Sequence, residues 1–116
     1  MKKLPILHVY PNREPEDMYR IVGNKNALLE LSNLLKHAAT NGFDFGSAYT
    51  ADGHETTVLV VREDDSDIWE YMESPYTDPV FCEKRDAYVA VDSLEHIENF
   101  KKIKKSKTFY LTSNTF

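Results

Sequence analysis

Cysteine is all but missing from this chain: Cys82 stands alone among 116 residues. A single cysteine excludes a disulfide framework and leaves a free thiol, an intermolecular partner or a small buried hydrophobe. That usage favours a reducing compartment, so a cytoplasmic protein is expected. Long apolar runs are missing too. Nothing approaches the ~20 residues of a membrane span, and the opening Met1-Lys2-Lys3-Leu4-Pro5-Ile6-Leu7-His8 is interrupted at Pro5 and His8 before an export signal forms. No membrane association is expected.

Glycine is scarce. Gly23, Gly42, Gly46 and Gly53 each fall at a predicted turn or element end, and none belongs to a phosphate-binding loop. His8, His37, His54 and His96 lack ligand spacing, and no HExxH or CxxC accompanies them, so no metal or cofactor is expected. His54 sits beside Asp52 and Glu55 at a predicted hairpin tip, where side chains face solvent. Cys82 has no adjacent base and no nucleophile-elbow signature. The carboxylates of the middle of the chain lie in a loop-like stretch with no rigid element to space them for acid–base work. No catalytic residue is assigned, and the protein is read as non-enzymatic.

What is present suffices for one core. With 41% apolar and 28% charged residues, residues 1 to 116 are expected to form a single domain. The net charge of −5 opposes nonspecific binding to nucleic acid, and its distribution is uneven. Residues 61 to 80 hold one basic group, Arg62, and seven acidic ones, Glu63, Asp64, Asp65, Asp67, Glu70, Glu73 and Asp78, interleaved with Trp69, Tyr71 and Tyr76. Lys101, Lys102, Lys104, Lys105 and Lys107 form the opposite pole. A lysine-rich last turn suits a helix C-terminus on dipole grounds alone.

Local patterns predict the elements. The apolar run at 5–10 and the extended pattern at 18–22, joined by the proline-rich stretch 11–17, predict two strands of a hairpin. Asn24 to Thr40 predicts an amphipathic helix. Leu28, Leu31, Leu35 and Ala38 are its core stripe with Leu34 and Ala27 flanking it, Asn24 or Asn26 its cap, and Asn41-Gly42 its stop. Asp52-Gly53 between β-prone runs predicts a hairpin with strands at 44–50 and 55–62, because both residues tolerate positive φ and the resulting turn matches the strand twist. A short helix is expected at 67–72, an ordered loop at 74–79 and a strand at 87–91. A second long helix follows, opened by a capping box from Asp92 to Glu95 and buried through Leu94, Ile97, Phe100 and Ile103. Thr108 to Leu111 could return to the sheet edge. The sum is an α+β domain, a mainly antiparallel sheet of about four to six strands with two helices packed on it.

The block Ile21-Val22-Gly23-Asn24-Lys25-Asn26-Ala27-Leu28-Leu29-Glu30-Leu31, followed by Tyr49-Thr50-Ala51-Asp52-Gly53-His54-Glu55 and Ser74-Pro75-Tyr76-Thr77-Asp78, resembles small bacterial immunity proteins of polymorphic-toxin systems. The likeness spans residues 18 to 80. It departs from the family pattern at His54-Glu55-Thr56, and residues 82 to 116 have no counterpart in it. The resemblance implies a noncatalytic protein that binds and blocks another molecule.

Two functions fit these readings. In the first, an immunity or inhibitor protein docks Asp64, Asp65, Asp67, Trp69, Tyr71 and Tyr76 onto a basic toxin surface, with the segment Trp69 to Phe81 as part of the contact. Prolines 75 and 79 would stiffen that segment. In the second, a phage-type sponge sequesters a nucleotide immune signal between subunits of a homo-oligomer, with aromatics stacking the base and lysine or arginine holding phosphate.

Overall fold

The computed structural model describes residues 4–81 and 88–114, and these form an α+β arrangement of four strands and three α-helices. Strands β1 (Leu7–Tyr10) and β2 (Arg20–Gly23) are followed by helix α1 (Lys25–Asn41), strands β3 (Phe43–Tyr49) and β4 (Glu55–Val61), and helices α2 (Ser66–Tyr71) and α3 (Glu95–Asn114). Short 3-10 turns occupy Pro79–Phe81 and Val91–Ser93.

Both strand pairs are antiparallel hairpins. They make two small sheets rather than the single sheet of four to six strands expected, with two long helices and the short one expected near 67–72. The hairpins touch through one parallel bridge between Ile6 and Tyr49, closed by the Tyr49 amide donating to the Pro5 carbonyl at 2.8 Å.

Asn24 ties the first hairpin to α1. Its Oδ1 accepts from the Ala27 amide at 3.0 Å, which caps the helix, and from the Ile6 amide at 3.3 Å, while its Nδ2 donates to the Leu4 carbonyl at 2.8 Å. At the other end Gly42 adopts φ 102° and donates to the Ala38 carbonyl at 2.9 Å. A side chain at Gly42 would be strained at that φ and would meet the His96 ring at 2.7 Å, so this glycine both stops α1 and lets α3 approach.

The β3–β4 hairpin is the centre of the molecule. Phe43, Phe45, Leu59 and Val61 share one face, and Asp44, Gly46, Ala48, Val58 and Val60 share the other. Helix α1 covers the second face: Leu7, Ala27 and Ala48 are buried together with Leu31 and Val58 against them, and Leu34 lies over Gly46. Helix α3 covers the first. Phe45 meets Phe100 edge-on at 4.8 Å between ring centroids, and Phe43 stacks on His96 at 5.5 Å. Leu94, Ile97 and Phe100 are buried there. A two-stranded hairpin is marginal alone. Helices on both faces give it the burial it lacks.

Several expectations are corrected. Helix α1 buries Ala38 and half-buries Leu31 as the predicted stripe requires, but it is turned toward the flanking Ala27 and Leu34, which are buried and half-buried, and Leu28 and Leu35 are left 45% and 51% exposed. Ala27 packs in one cluster with Ala48 and Leu34 lies over Gly46, so the helix meets small residues on that flank and Leu28 and Leu35 are left to one side. The β3–β4 hairpin turns at Asp52-Gly53 as expected. Thr50 and His54 close the turn, with Gly53 donating to the Thr50 carbonyl at 3.0 Å, and within it Gly53 takes positive φ, at 93°. This is a three-residue loop with a left-handed third residue.

Residues 88–91 form no strand, since only Val89 pairs, in an isolated bridge with Met72. The capping box is not formed, because Asp92 lies in the 3-10 turn before α3 and its carboxylate bonds Lys101 Nζ at 3.2 Å. Residues 108–111 are helical rather than extended, and Ile103 is 38% exposed where burial was expected. Cys82 lies outside the described residues.

Candidate functional site

Beyond β4 the chain turns through residues 62–65 into α2, and this corner gathers most of the residues singled out from sequence. Arg62 Nη2 bonds Asp64 Oδ2 at 2.6 Å and Nε bonds the same oxygen at 2.7 Å. The hydrogen bond and the charge of Asp64 raise the Arg62 pKa further above its usual value. A third contact, from Nη1 to the Ala39 carbonyl at 2.8 Å, anchors the corner to the end of α1. Asp65 is the N-cap of α2, its Oδ1 accepting from the Asp67 amide at 2.9 Å, and its own amide donates to Glu63 Oε2 at 3.1 Å.

Asp64 and Asp65 therefore have structural partners within the corner. Asp67 does not: among the described residues nothing bonds its carboxylate. It projects from the first turn of α2, where the helix dipole favours an acid. All three aspartates are exposed.

Trp69 is 58% exposed, yet its indole is held. Nε1 donates to the Glu63 carbonyl at 2.7 Å, which fixes the ring while leaving much of its surface open. The ring borders a cavity of about 480 Å³, whose walls include Tyr19, Leu59, Met72, Pro75 and Leu94 and whose polar groups include Glu63 and Glu73. Glu73 is held as well, its Oε1 accepting from the Val91 amide at 2.9 Å.

Tyr71 ends α2, 41% exposed, and its carbonyl accepts from the Val89 amide. Tyr76 is half-buried in a loop laced to the first hairpin's connection, with the Thr77 amide on the Asn12 carbonyl at 3.0 Å and the Asp78 amide on the Arg13 carbonyl at 3.1 Å. The sequence-selected residues thus divide. Asp64, Asp65, Asp67 and Trp69 share one corner, Tyr71 follows at its end, and Tyr76 sits half-buried in the loop beyond.

Sequence reasoning missed Tyr19 and Met72 as walls of the cavity. Tyr19 comes from the end of the first connection, far away in the chain, so no local pattern could have paired it with Trp69. Arg62 was noted only as a charge, and its position immediately after a predicted strand and two residues before Asp64 was the available signal.

A second cavity, of about 270 Å³, lies between α1 and β3. His37 Nδ1 and Asp44 Oδ2, 3.0 Å apart, stand among its walls. Among the described residues no group of three or more His, Cys, Asp or Glu side chains is placed to hold a metal ion, and no helix is long and apolar enough to cross a membrane. Comparison with protein-family models, with curated proteins and with solved structures gives no match to the chain.

Proposed function

We propose that this chain is a noncatalytic binding protein that neutralises a partner in bacterial or phage conflict, as an immunity protein does when it blocks a toxin, and that the corner from Asp64 to Trp69 is its contact surface. The observation that carries this reading is the state of Trp69, a large aromatic that is well exposed while its indole N–H is pinned. A ring already held in one orientation loses little freedom when a partner covers it, so more of the burial appears as affinity. Around it stand three exposed carboxylates, which would speed the approach of a basic surface and set its orientation.

The alternative, sequestration of a nucleotide between subunits, needs cationic groups near the stacking ring. Among the described residues, those bordering the cavity beside Trp69 include Glu63 and Glu73 and no lysine or arginine, which favours a basic protein over a phosphate-bearing ligand.

Native mass spectrometry of the chain purified from its own cells separates the two. A stoichiometric basic protein partner is expected, and a copurifying nucleotide would favour sequestration instead. Against that partner, replacing Asp64, Asp65 and Asp67 together with Asn should slow association severalfold and flatten its salt dependence with the fold intact, because Asn still caps α2. Trp69→Ala should weaken the complex by about 2 kcal/mol or more. Association rates unchanged by the triple substitution, together with affinity unchanged by Trp69→Ala, would place the contact elsewhere.

A further inference from the structure

The cavity beside Trp69 carries an inference about what enters it, which rests on the reading of the Asp64–Trp69 corner as a contact surface. Much of its wall is apolar. Leu59 and Val61 of β4 line it half-buried, and Leu94 and Ile97, at the start of α3, line it buried. Two glutamates border the same space. Glu63 and Glu73 are half-buried, and each keeps one oxygen on a backbone amide: Oε2 of Glu63 accepts from Asp65 at 3.1 Å, and Oε1 of Glu73 from Val91 at 2.9 Å. Among the described residues neither meets a cation, since the acids in ion pairs are Asp44, Asp52, Asp64 and Asp92. Arg62, next to Glu63 in the chain, is turned to Asp64 and to the Ala39 carbonyl instead.

A carboxylate drawn partly out of water is costly unless a cation or several donors compensate it. One amide apiece leaves the second oxygen of Glu63 and of Glu73 with no donor among the described residues. An apolar cavity bordered by two such oxygens suits a group with a long apolar stem and a cationic tip, the walls holding the stem and the carboxylates the tip. Trp69 narrows the choice. With Nε1 fixed on the Glu63 carbonyl, its ring offers the cavity an aromatic surface on which a planar cation stacks.

We infer that this cavity is the socket for one arginine side chain of the basic protein partner, entering together with an adjoining apolar residue. Arginine is favoured over lysine because the two carboxylates come from separate segments. A guanidinium carries five donors in one plane and can serve both, whereas an ammonium is a compact, strongly hydrated charge that loses more on leaving water. The adjoining residue follows from size. At about 480 Å³ the cavity falls in the range that takes whole small ligands rather than a single side chain, and Leu94 and Ile97 offer the remainder an apolar surface.

Trp69 is the chain's one tryptophan, so its fluorescence reports on the cavity directly. The test titrates the full chain with acetyl-leucyl-arginine amide, with its lysine counterpart, and with its citrulline counterpart, a neutral urea of the same shape as the guanidinium. The arginine probe should saturate the Trp69 signal and shift the methyl resonances of Leu94 and Ile97 with the same midpoint, the lysine probe should bind severalfold more weakly, and the citrulline probe about tenfold more weakly or worse. Glu73→Gln keeps a carbonyl for the Val91 amide and removes the charge, and should weaken the arginine probe about tenfold while leaving the citrulline probe unchanged. Replacing Asp64, Asp65 and Asp67 together with Asn should leave the arginine probe within about twofold, since those acids border the surface and not the cavity. If Glu73→Gln fails to fold, the three probes on the unaltered chain decide. Equal binding of the arginine and citrulline probes, or of the arginine and lysine probes, a Trp69 response without one at Leu94 and Ile97, or binding that appears only when Lys84 and Arg85 of the same chain are replaced with Ala would overturn the inference. A partner complex that weakens with the aspartate and Trp69 substitutions but ignores Glu73→Gln would overturn it too, and would leave the contact surface standing.

Discussion

The two hairpins share a hydrogen-bonding pattern and little else. In β1–β2, Val9, Ile21 and Val22 are 58%, 52% and 60% exposed, and Leu7 alone is drawn into a core. In β3–β4 both faces are covered, one by α1 and the other by α3, and every residue from Val58 to Val61 is at least half-buried. Ladder bonds contribute modestly to net stability, because the unfolded chain makes equivalent bonds to water. The difference between the hairpins is therefore burial. The covered hairpin is the platform from which the Arg62–Trp69 corner projects, and the exposed one is held mainly at its root, by Asn24 and the Pro5–Tyr49 bond.

The largest expected break in this contrast comes from the α3 side of the platform. Phe100→Ala removes a buried ring that meets Phe45, and should cost about 3–5 kcal/mol in a denaturant titration. A loss below about 1 kcal/mol would mean that α3 is not part of the cooperative core. At the other extreme, Val22→Thr in the first hairpin keeps the β-branched shape at an exposed position and should change stability by no more than about 0.5 kcal/mol. A larger loss would place a covering partner over Val22.

How far the fold could be read from the chain follows the same division. The limits of α1 were legible because Asn24 and Gly42 are local signals, each acting within one turn of itself. Likewise, the short helix expected at 67–72 forms at Ser66–Tyr71, and the Gly53 turn falls where Asp-Gly placed it. The rotation of α1 was not legible, since nothing within the helix tells that the flanking Ala27 and Leu34, rather than Leu28 and Leu35, meet Ala48 and Gly46. The missing strand at 88–91 and the helical continuation through 108–111 fail for a related reason: β-branched and aromatic residues fit a strand only where a neighbouring strand accepts them. At the candidate site, the composition pointed to residues of which the fold gathers Asp64, Asp65, Asp67 and Trp69 at one corner. It could not separate Asp64 and Asp65, which have bonds to make within the corner, from Asp67, which has none, nor bring Tyr19 beside Trp69.

The claim that burial on both faces makes β3–β4 the rigid platform, with the exposed hairpin a dependent attachment, is tested most directly by native-state amide hydrogen exchange resolved by NMR. The amides of Val58 and Val60, bonded inward to β3, should exchange only through global unfolding, and those of His8 and Val22 through local opening, about a hundredfold faster or more. Equal protection in the two hairpins, or stronger protection at His8 and Val22, would contradict it.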